Sequence, residues 1–375
     1  MRVKIHKLFE VLLETTSKNP EATLGFSLSA SPKLGEFLND LDPELSLDWS
    51  GVSFQGLPRL REHVLRIGKL ERCRIDDVLI TAGTAEANHL TIMQLLQPED
   101  EIVVETPGWP QPLVLAEAIG AKIHHLHRHE HLEWAFDFAE LEELVNSNTK
   151  LIFLTNPNNP SGHLLSKTEL ERVAQIAARV GAYVLVDEVY AGLEWMGERT
   201  PAMADLYERG ISTGSVSKAL GLQGLRTGWL ICRDPRVILD SMVLRENSSE
   251  IMNVLGETIA EIALRPERYA NALGRARSDG LSTLATLETF IASRPELSWC
   301  SPKAGLIGLA RLEGWDGETL TRAMLEVPYK TLVIPGSAYG LPQHIRLGVG
   351  GGLAANLEEG LRRLGLFLDQ HPRLT

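Results

Sequence analysis

The stretch Gly214-Ser215-Val216-Ser217-Lys218-Ala219-Leu220-Gly221-Leu222-Gln223-Gly224-Leu225-Arg226-Thr227-Gly228-Trp229 sets a lysine among small hydroxyl residues, with glycines behind it and an arginine eight positions on. The apolar run Trp229-Leu230-Ile231-Cys232 follows. Glycine and serine around a lysine suggest an amine held in a tight, backbone-rich turn that something bulky must approach. A glycine-rich surface turn carrying a solvated lysine would look the same, so the rest of the chain decides.

Working outward, apolar strands alternate with helices. Asp77-Val78-Leu79-Ile80-Thr81-Ala82 reads as a buried strand, and Gly83-Thr84 turns into a helix over about Ala85 to Leu96. Glu101–Glu105 is the next strand, followed by Thr106-Pro107-Gly108-Trp109-Pro110. Lys150–Thr155 leads into Asn156-Pro157-Asn158-Asn159-Pro160-Ser161-Gly162, and Ser166 with Glu169 forms a capping box for a further helix. Ala182–Val186 ends in Asp187-Glu188-Val189-Tyr190, and Ile211–Thr213 and Trp229–Cys232 complete the set. Strands apolar throughout and separated by helices imply a largely parallel sheet covered on both faces. Gly83, Trp109, Asn159, Asp187 and Ser215 all fall just past strand ends, the edge where open α/β sheets bind ligands.

From about Pro235 the pattern changes. Helices dominate to about residue 293, then shorter strands follow at Gly305–Ala310, Thr331–Ile334 and His344–Val349, which reads as a smaller α+β domain. At the other end, Ile5, Leu8, Phe9, Leu12 and Leu13 recur at helical spacing, with charges that exclude a signal peptide. The expected division is an N-terminal segment, 1–45, packing with the small domain, a large domain over 46–245 and the small domain over 246–375.

The totals narrow the class. The 375 residues have a net charge of −12, which argues against nucleic acid as the main partner. No run of about 18 apolar residues exists, so no membrane span is expected. Cys73, Cys232 and Cys300 are too few and scattered for a disulfide framework or zinc site, which points to the reducing cytoplasm. His124, His125, His127, His129 and His131 crowd one segment, but alternation along a strand throws them onto different faces, so no metal is expected there.

The strand ends thus offer a lysine for imine formation, an aspartate, an aromatic, an asparagine, a tyrosine and arginines. In this inventory and its order, from about Gly56 to Arg346, the chain resembles the fold-type I, class I/II aminotransferase family. Asn-Pro-Asn-Asn-Pro-Ser-Gly, Asp-Glu-Val-Tyr and Ser-x-Ser-Lys with its later arginine are each moderately specific, and strong together in that order. The resemblance implies a three-layer α/β fold with a mostly parallel central sheet, pyridoxal 5′-phosphate as cofactor and a homodimer with sites at the subunit interface.

It also implies roles. Lys218 holds the cofactor through an imine and moves the α-proton of the substrate. Asp187 pairs with the pyridine nitrogen, Tyr190 and Asn159 bond the phenolic oxygen, and Trp109 stacks on the ring. Asn159 also faces the substrate, whereas Asn156 and Asn158 are read as structural. Gly83, the Thr84 and Ala85 backbone, Ser215 and Arg226 hold the phosphate, and Ala85 stands where the family often has a hydroxyl. Arg346 binds the substrate carboxylate with its planar fork. Many relatives add a partner-subunit tyrosine shortly before the glycine matching Gly56; here the window offers Trp49 and Phe54 but no tyrosine.

Arg346 holding the carboxylate near the ring plane favours loss of the α-proton. The implied reaction is transamination between an L-amino acid and a 2-oxo acid. The alternative is a cyclase, lyase or oxidase acting on an amino acid such as an arginine derivative, because Leu28-Ser29-Ala30-Ser31 and the short length are similar to capreomycidine-synthase-like enzymes. No motif fixes the side-chain pocket. A nicotinamide dehydrogenase is disfavoured, since no strand leads into a Gly-x-Gly-x-x-Gly fingerprint.

Overall fold

Side-chain alternation along the central strands feeds two separate cores. In the computed structural model, which describes residues 2–48 and 53–371, Val103, Ile152, Leu154, Val184 and Val186 point into one core with helix Lys167–Ala178. Val104, Phe153 and Leu185 point into the other, with Ala87 and Leu90 of helix Thr84–Leu95. Most of these side chains have no exposed surface, and each stabilises the fold by roughly 1.5–3 kcal/mol. Burial on both faces is why the strands read as continuous apolar runs.

The sheet has eight strands, in the order Val78–Thr81, Gly228–Cys232, Gly210–Ser215, Tyr183–Asp187, Thr149–Thr155, Glu101–Thr106, Lys122–His129 and Ala135–Phe136. The five strands from Gly210–Ser215 to Lys122–His129 are mutually parallel. Gly228–Cys232 runs antiparallel to both neighbours. Its link from Ser215 carries only the 3₁₀ turn Gln223–Leu225 and forms no crossover helix, and the strand returns in the opposite direction. That short return presses Lys218 and Arg226 against the end of the sheet.

The second unit is an antiparallel sheet ordered Leu297–Trp299, Ile307–Leu312, His344–Gly348 and Ile334–Pro335. Helices Pro266–Ala292, Gly317–Leu325 and Leu357–Gln370 pack on it through Leu284, Leu287, Leu320, Met324, Leu364 and Phe367.

The N-terminal helix, Lys7–Lys18, buries Leu8 and Val11 against Leu325, Leu332, Ile334 and Tyr339, and Thr15 is buried as well. The expected apolar stripe is only partly used, because Ile5, Phe9 and Leu13 stay exposed. Phe9 and Leu13 lie ~100° and ~140° round the helix from Leu8, beyond the narrow contact. Downstream, Ala22–Thr23 pairs in parallel with Thr331–Leu332, tying the segment to the second unit.

Candidate active site

The carboxyl ends of the parallel strands open onto a cavity of about 260 Å³. Thr84, Ala85, Ser215, Lys218 and Arg226 line one part of it. Trp109, Asn159, Asp187, Tyr190 and Arg346 line it further in, and Leu8, Leu12, Phe26, Ser27 and Leu28 of the N-terminal segment form another wall. Gly83 stands directly behind, at the N-cap of helix Thr84–Leu95. A wider cleft of about 770 Å³, between residues 29–37 and helix Pro266–Ala292, holds none of these groups.

The part near Thr84 is suited to an anion. The first N–H groups of the helix have no carbonyl of their own to bond, and the helix start carries partial positive charge. Thr84 Oγ1 is buried without a partner. Arg226 donates from Nη2 to the Ala82 carbonyl at 3.3 Å and from Nη1 to the Gln223 carbonyl at 3.3 Å, which holds its guanidinium beside the helix start. Gly83 has φ 84°, and a Cβ there would lie 2.5 Å from Arg226 Nη2, so only glycine allows this approach. Ser215 Oγ accepts from the Ser217 N–H at 3.3 Å. Ala85 has no side-chain donor, leaving its backbone alone to contribute.

Asp187 ends its strand 5% exposed. Its Oδ2 accepts from Asn88 Nδ2 at 2.8 Å and its Oδ1 from the Val189 N–H at 3.1 Å. Burial outweighs those bonds and pushes the carboxyl up to about 6. Asn88 is itself fixed, accepting from Thr213 Oγ1 at 2.8 Å. Gln111 accepts from Trp109 Nε1 at 3.3 Å and donates to the Ala85 carbonyl at 2.7 Å, linking the indole to the anion end. Asn88, Gln111 and Thr213 escape sequence reasoning because they lie inside regular elements, where nothing in pattern or composition marks them.

Lys218 Nζ donates to Ser27 Oγ at 2.9 Å and to the Ser27 carbonyl at 3.1 Å. Burial, reinforced by Arg346 and Arg226, lowers the ammonium to about 8. Tyr190 is buried, which raises its phenol to about 12 against the opposing pull of Arg346. Arg346, 5% exposed, donates from Nη1 to Tyr339 Oη at 2.6 Å and to Asn159 Oδ1 at 3.3 Å. Its Nη2 donates to the Gly25 carbonyl at 2.7 Å, and its Nε is buried without a partner. Ser27 and Tyr339 are the other two residues that sequence reasoning misses. Ser27 sits next to the quoted Leu28–Ser31 run but has no motif of its own.

The loop carrying Asn159 is braced from below. Asn158 Nδ2 donates to Glu105 Oε1 at 2.9 Å, and Asn156 accepts from the Leu165 N–H at 2.8 Å. Glu105 Oε2 in turn accepts from Arg128, whose Nη2 lies 2.7 Å away, with both side chains fully buried. The histidine-rich strand lies away from the cavity: His124 pairs with Glu101 at 2.7 Å and His127 with Glu140 at 2.6 Å. Trp49 lies outside the described residues, and Phe54 is exposed.

A family model described as aminotransferase class I and II matches residues 51–364. An aspartate aminotransferase of Musicola paradisiaca is 26% identical over 285 residues, 72% of this chain and 68% of that protein. Capreomycidine synthase of Streptomyces vinaceus is 27% identical over 344 residues, 90% of this chain and 87% of that protein. Among solved structures, a pyridoxal-phosphate-dependent aminotransferase from Streptococcus suis has a TM-score of 0.90 over 100% of both chains, at 24% identity. At that identity the likeness speaks to the fold.

Proposed function

We infer the chemistry of the site from one premise: the chain belongs to the aminotransferase class I and II family, whose model matches residues 51–364. It is a pyridoxal 5′-phosphate-dependent aminotransferase, moving an amino group between an L-amino acid and a 2-oxo acid. The residues lining the cavity fit the cofactor. The partnerless Thr84 hydroxyl at a helix start suits its phosphate, and the buried Asp187 carboxylate suits its pyridine nitrogen. When bound, pyridoxal phosphate supplies a sink for the electron pair left at the substrate α-carbon.

The chain's own groups divide the work as follows. Thr84, Ala85, Ser215 and Arg226 hold the phosphate, Asp187 holds the ring nitrogen, Trp109 covers one ring face, and Tyr190 and Asn159 bond the phenolic oxygen. Arg346 pairs with the substrate carboxylate, for which its fork and free Nε are suited. Lys218 takes the α-proton and returns it one step later. An amine lowered to about 8 is partly neutral near physiological pH, as a base must be. Asn88 and Gln111 position Asp187 and Trp109.

The observation that carries this reading is the convergence of Lys218, Asp187 and Arg346 on one cavity. The purified protein should show the visible absorbance of bound cofactor, and Lys218→Ala should abolish both that band and turnover. A colourless protein that gains no band on addition of cofactor would overturn the reading.

The likeness to capreomycidine synthase over 90% of the chain supports a second reading, cyclisation or elimination on an arginine derivative. Incubation with one amino acid and no acceptor separates the two: a single stoichiometric conversion marks transamination, and continued turnover marks the other. We also read the chain as two domains plus a segment, divided at 45/46 and 245/246, and as a cytoplasmic homodimer. Exposed Phe54, Leu239 and Val243 support a partner surface, and three free cysteines suit a reducing compartment. Sedimentation at micromolar concentration tests the dimer.

A further inference from the structure

The substrate carboxylate and the cofactor are held by different units. Arg346 lies on strand His344–Gly348 of the second unit, whereas Lys218, Asp187 and Asn159 belong to the large sheet and its loops. Proton transfer at the α-carbon needs both sets of groups in register, so the two units must be fixed against each other. Resting on the aminotransferase reading, we propose that Glu130 is a positioning residue: it latches the second unit to the large sheet and so sets Arg346 for the substrate carboxylate.

Glu130 opens the 3₁₀ turn Glu130–Leu132, which ends the histidine-rich strand. Across the boundary, its Oε2 accepts from Arg311 Nε at 2.8 Å and also from Arg311 Nη2, and His344 Nε2 lies 3.4 Å from the same oxygen. Arg311 and His344 are register partners on adjacent strands, so their side chains share a face. Arg346 is two residues further along the strand of His344, on that same face. The Trp134 indole meets the His344 imidazole near edge-on, with ring centroids 5.6 Å apart.

The turn is tied equally to the cofactor side. Arg128, just before Glu130, donates from Nη1 to the Trp134 carbonyl at 2.8 Å and from Nε to Glu105 Oε2 at 2.8 Å. Glu105 holds Asn158 and the Thr155 N–H, and Asn159 accepts from Arg346. The contacts thus close a ring that crosses the boundary twice, at Glu130 and at the Asn159–Arg346 bond. A substrate carboxylate competes with Asn159 for Arg346. Glu130 lies outside the cavity and is free to keep its contacts while substrate binds. Glu130 and Arg311 are only partly buried, and such a pair adds little to stability. Its effect is on geometry.

The test follows the cofactor spectrum of the holoenzyme with L-alanine, L-glutamate and L-phenylalanine. Glu130→Gln should raise KM about tenfold, by the same factor for each of the three that reacts, with kcat changed less than about twofold and the cofactor band intact. Arg311→Gln, made from the opposite unit, should do the same. In an Arg346→Gln background, Glu130→Gln should add less than about a twofold loss, because a residue acting through Arg346 has nothing left to position. Glu130→Arg combined with Arg311→Glu restores the pair and should return KM to within about threefold of the parent. An unchanged KM, a lost cofactor band, a loss that multiplies fully with that of Arg346→Gln, or a charge swap no better than the single variants would overturn the latch while leaving the aminotransferase intact. If none of the three amino acids changes the spectrum of the parent enzyme, the aminotransferase reading falls, and the latch with it.

Discussion

The cofactor side and the substrate side of the cavity are built from opposite kinds of chain. On the cofactor side, Asp187 and Ser215 end neighbouring strands of one sheet, with Asn159 just past a third. Beneath them lies the buried Glu105–Arg128 pair, holding Asn158 and the Thr155 N–H. On the other side, residues 25–28 follow the short Ala22–Thr23 pairing and are held by isolated bonds: Leu24 to Leu332 and Gly348, the Gly25 carbonyl to Arg346, and the Leu28 carbonyl to the Gly352 N–H. Groups that must keep a charge in place sit where many backbone bonds converge. The N-terminal wall of the cavity is mostly apolar and is held by isolated bonds rather than by a sheet.

The largest expected effect probes the braced side. Glu105→Gln leaves the Arg128 charge buried without its counter-ion and should cost about 3–5 kcal/mol in urea unfolding. A loss below about 1 kcal/mol would show that the strand ends do not depend on this pair.

Arg346 joins the two sides, bonding both Asn159 and the Gly25 carbonyl. Arg346→Gln should lower kcat/KM about 100-fold for every amino acid, because a charge-assisted two-point contact is lost. The cofactor band should stay. Loss of the band instead would move Arg346 to the cofactor side.

A smaller effect comes from Asp187. Its native carboxyl titrates at about 6 against an ordinary 3.8, so the folded apoprotein binds the proton more tightly. Its contribution to stability is therefore greatest below pH 4, falls as pH rises to about 6 and is flat above. Asp187→Asn should stabilise the apoprotein on the order of 1–2 kcal/mol at pH 7.5 and not at pH 4. Thermal unfolding at both pH values checks this, and an equal gain at the two would remove the buried charge as its cause. In the holoenzyme the same change should impair turnover.

The smallest effect tests the loosely tied side. Ser27→Ala removes one of two acceptors of Lys218 and keeps the carbonyl. Turnover should fall less than about tenfold, since one neutral acceptor is worth roughly 1 kcal/mol. A hundredfold loss would make Ser27 part of the proton-transfer apparatus and erase the contrast between the sides.

Legibility in the sequence follows the same division. Lys218, Asp187, Asn159 and Ser215 are readable because each lies in or beside a short run whose glycines, prolines or apolar neighbours mark a strand end. Their positioning partners are not. Asn88 and Gln111 occupy ordinary helix positions, and Thr213 is one more residue in a strand; only the fold brings Asn88 to Asp187, Thr213 to Asn88 and Gln111 to the Ala85 carbonyl. The N-terminal helix shows the limit of periodicity. Its apolar positions announce a helix, but which of them is buried depends on the surface it meets, and Phe9 and Leu13 miss that surface.

By itself, the sequence determined the alternation of strands and helices, the ligand-binding edge of the sheet and the residue types gathered there, because these follow from local patterns a few residues long. Only the tertiary structure decided that Gly228–Cys232 runs antiparallel. It also decided that Glu105 and Arg128 neutralise each other beneath the site, and that Leu8, Leu12 and Phe26 close a cavity whose Asp187 and Lys218 lie far along the chain from them. Such contacts carry no local signal. They arise because charges taken out of water must find partners, and apolar faces must find cover, wherever in the chain those lie.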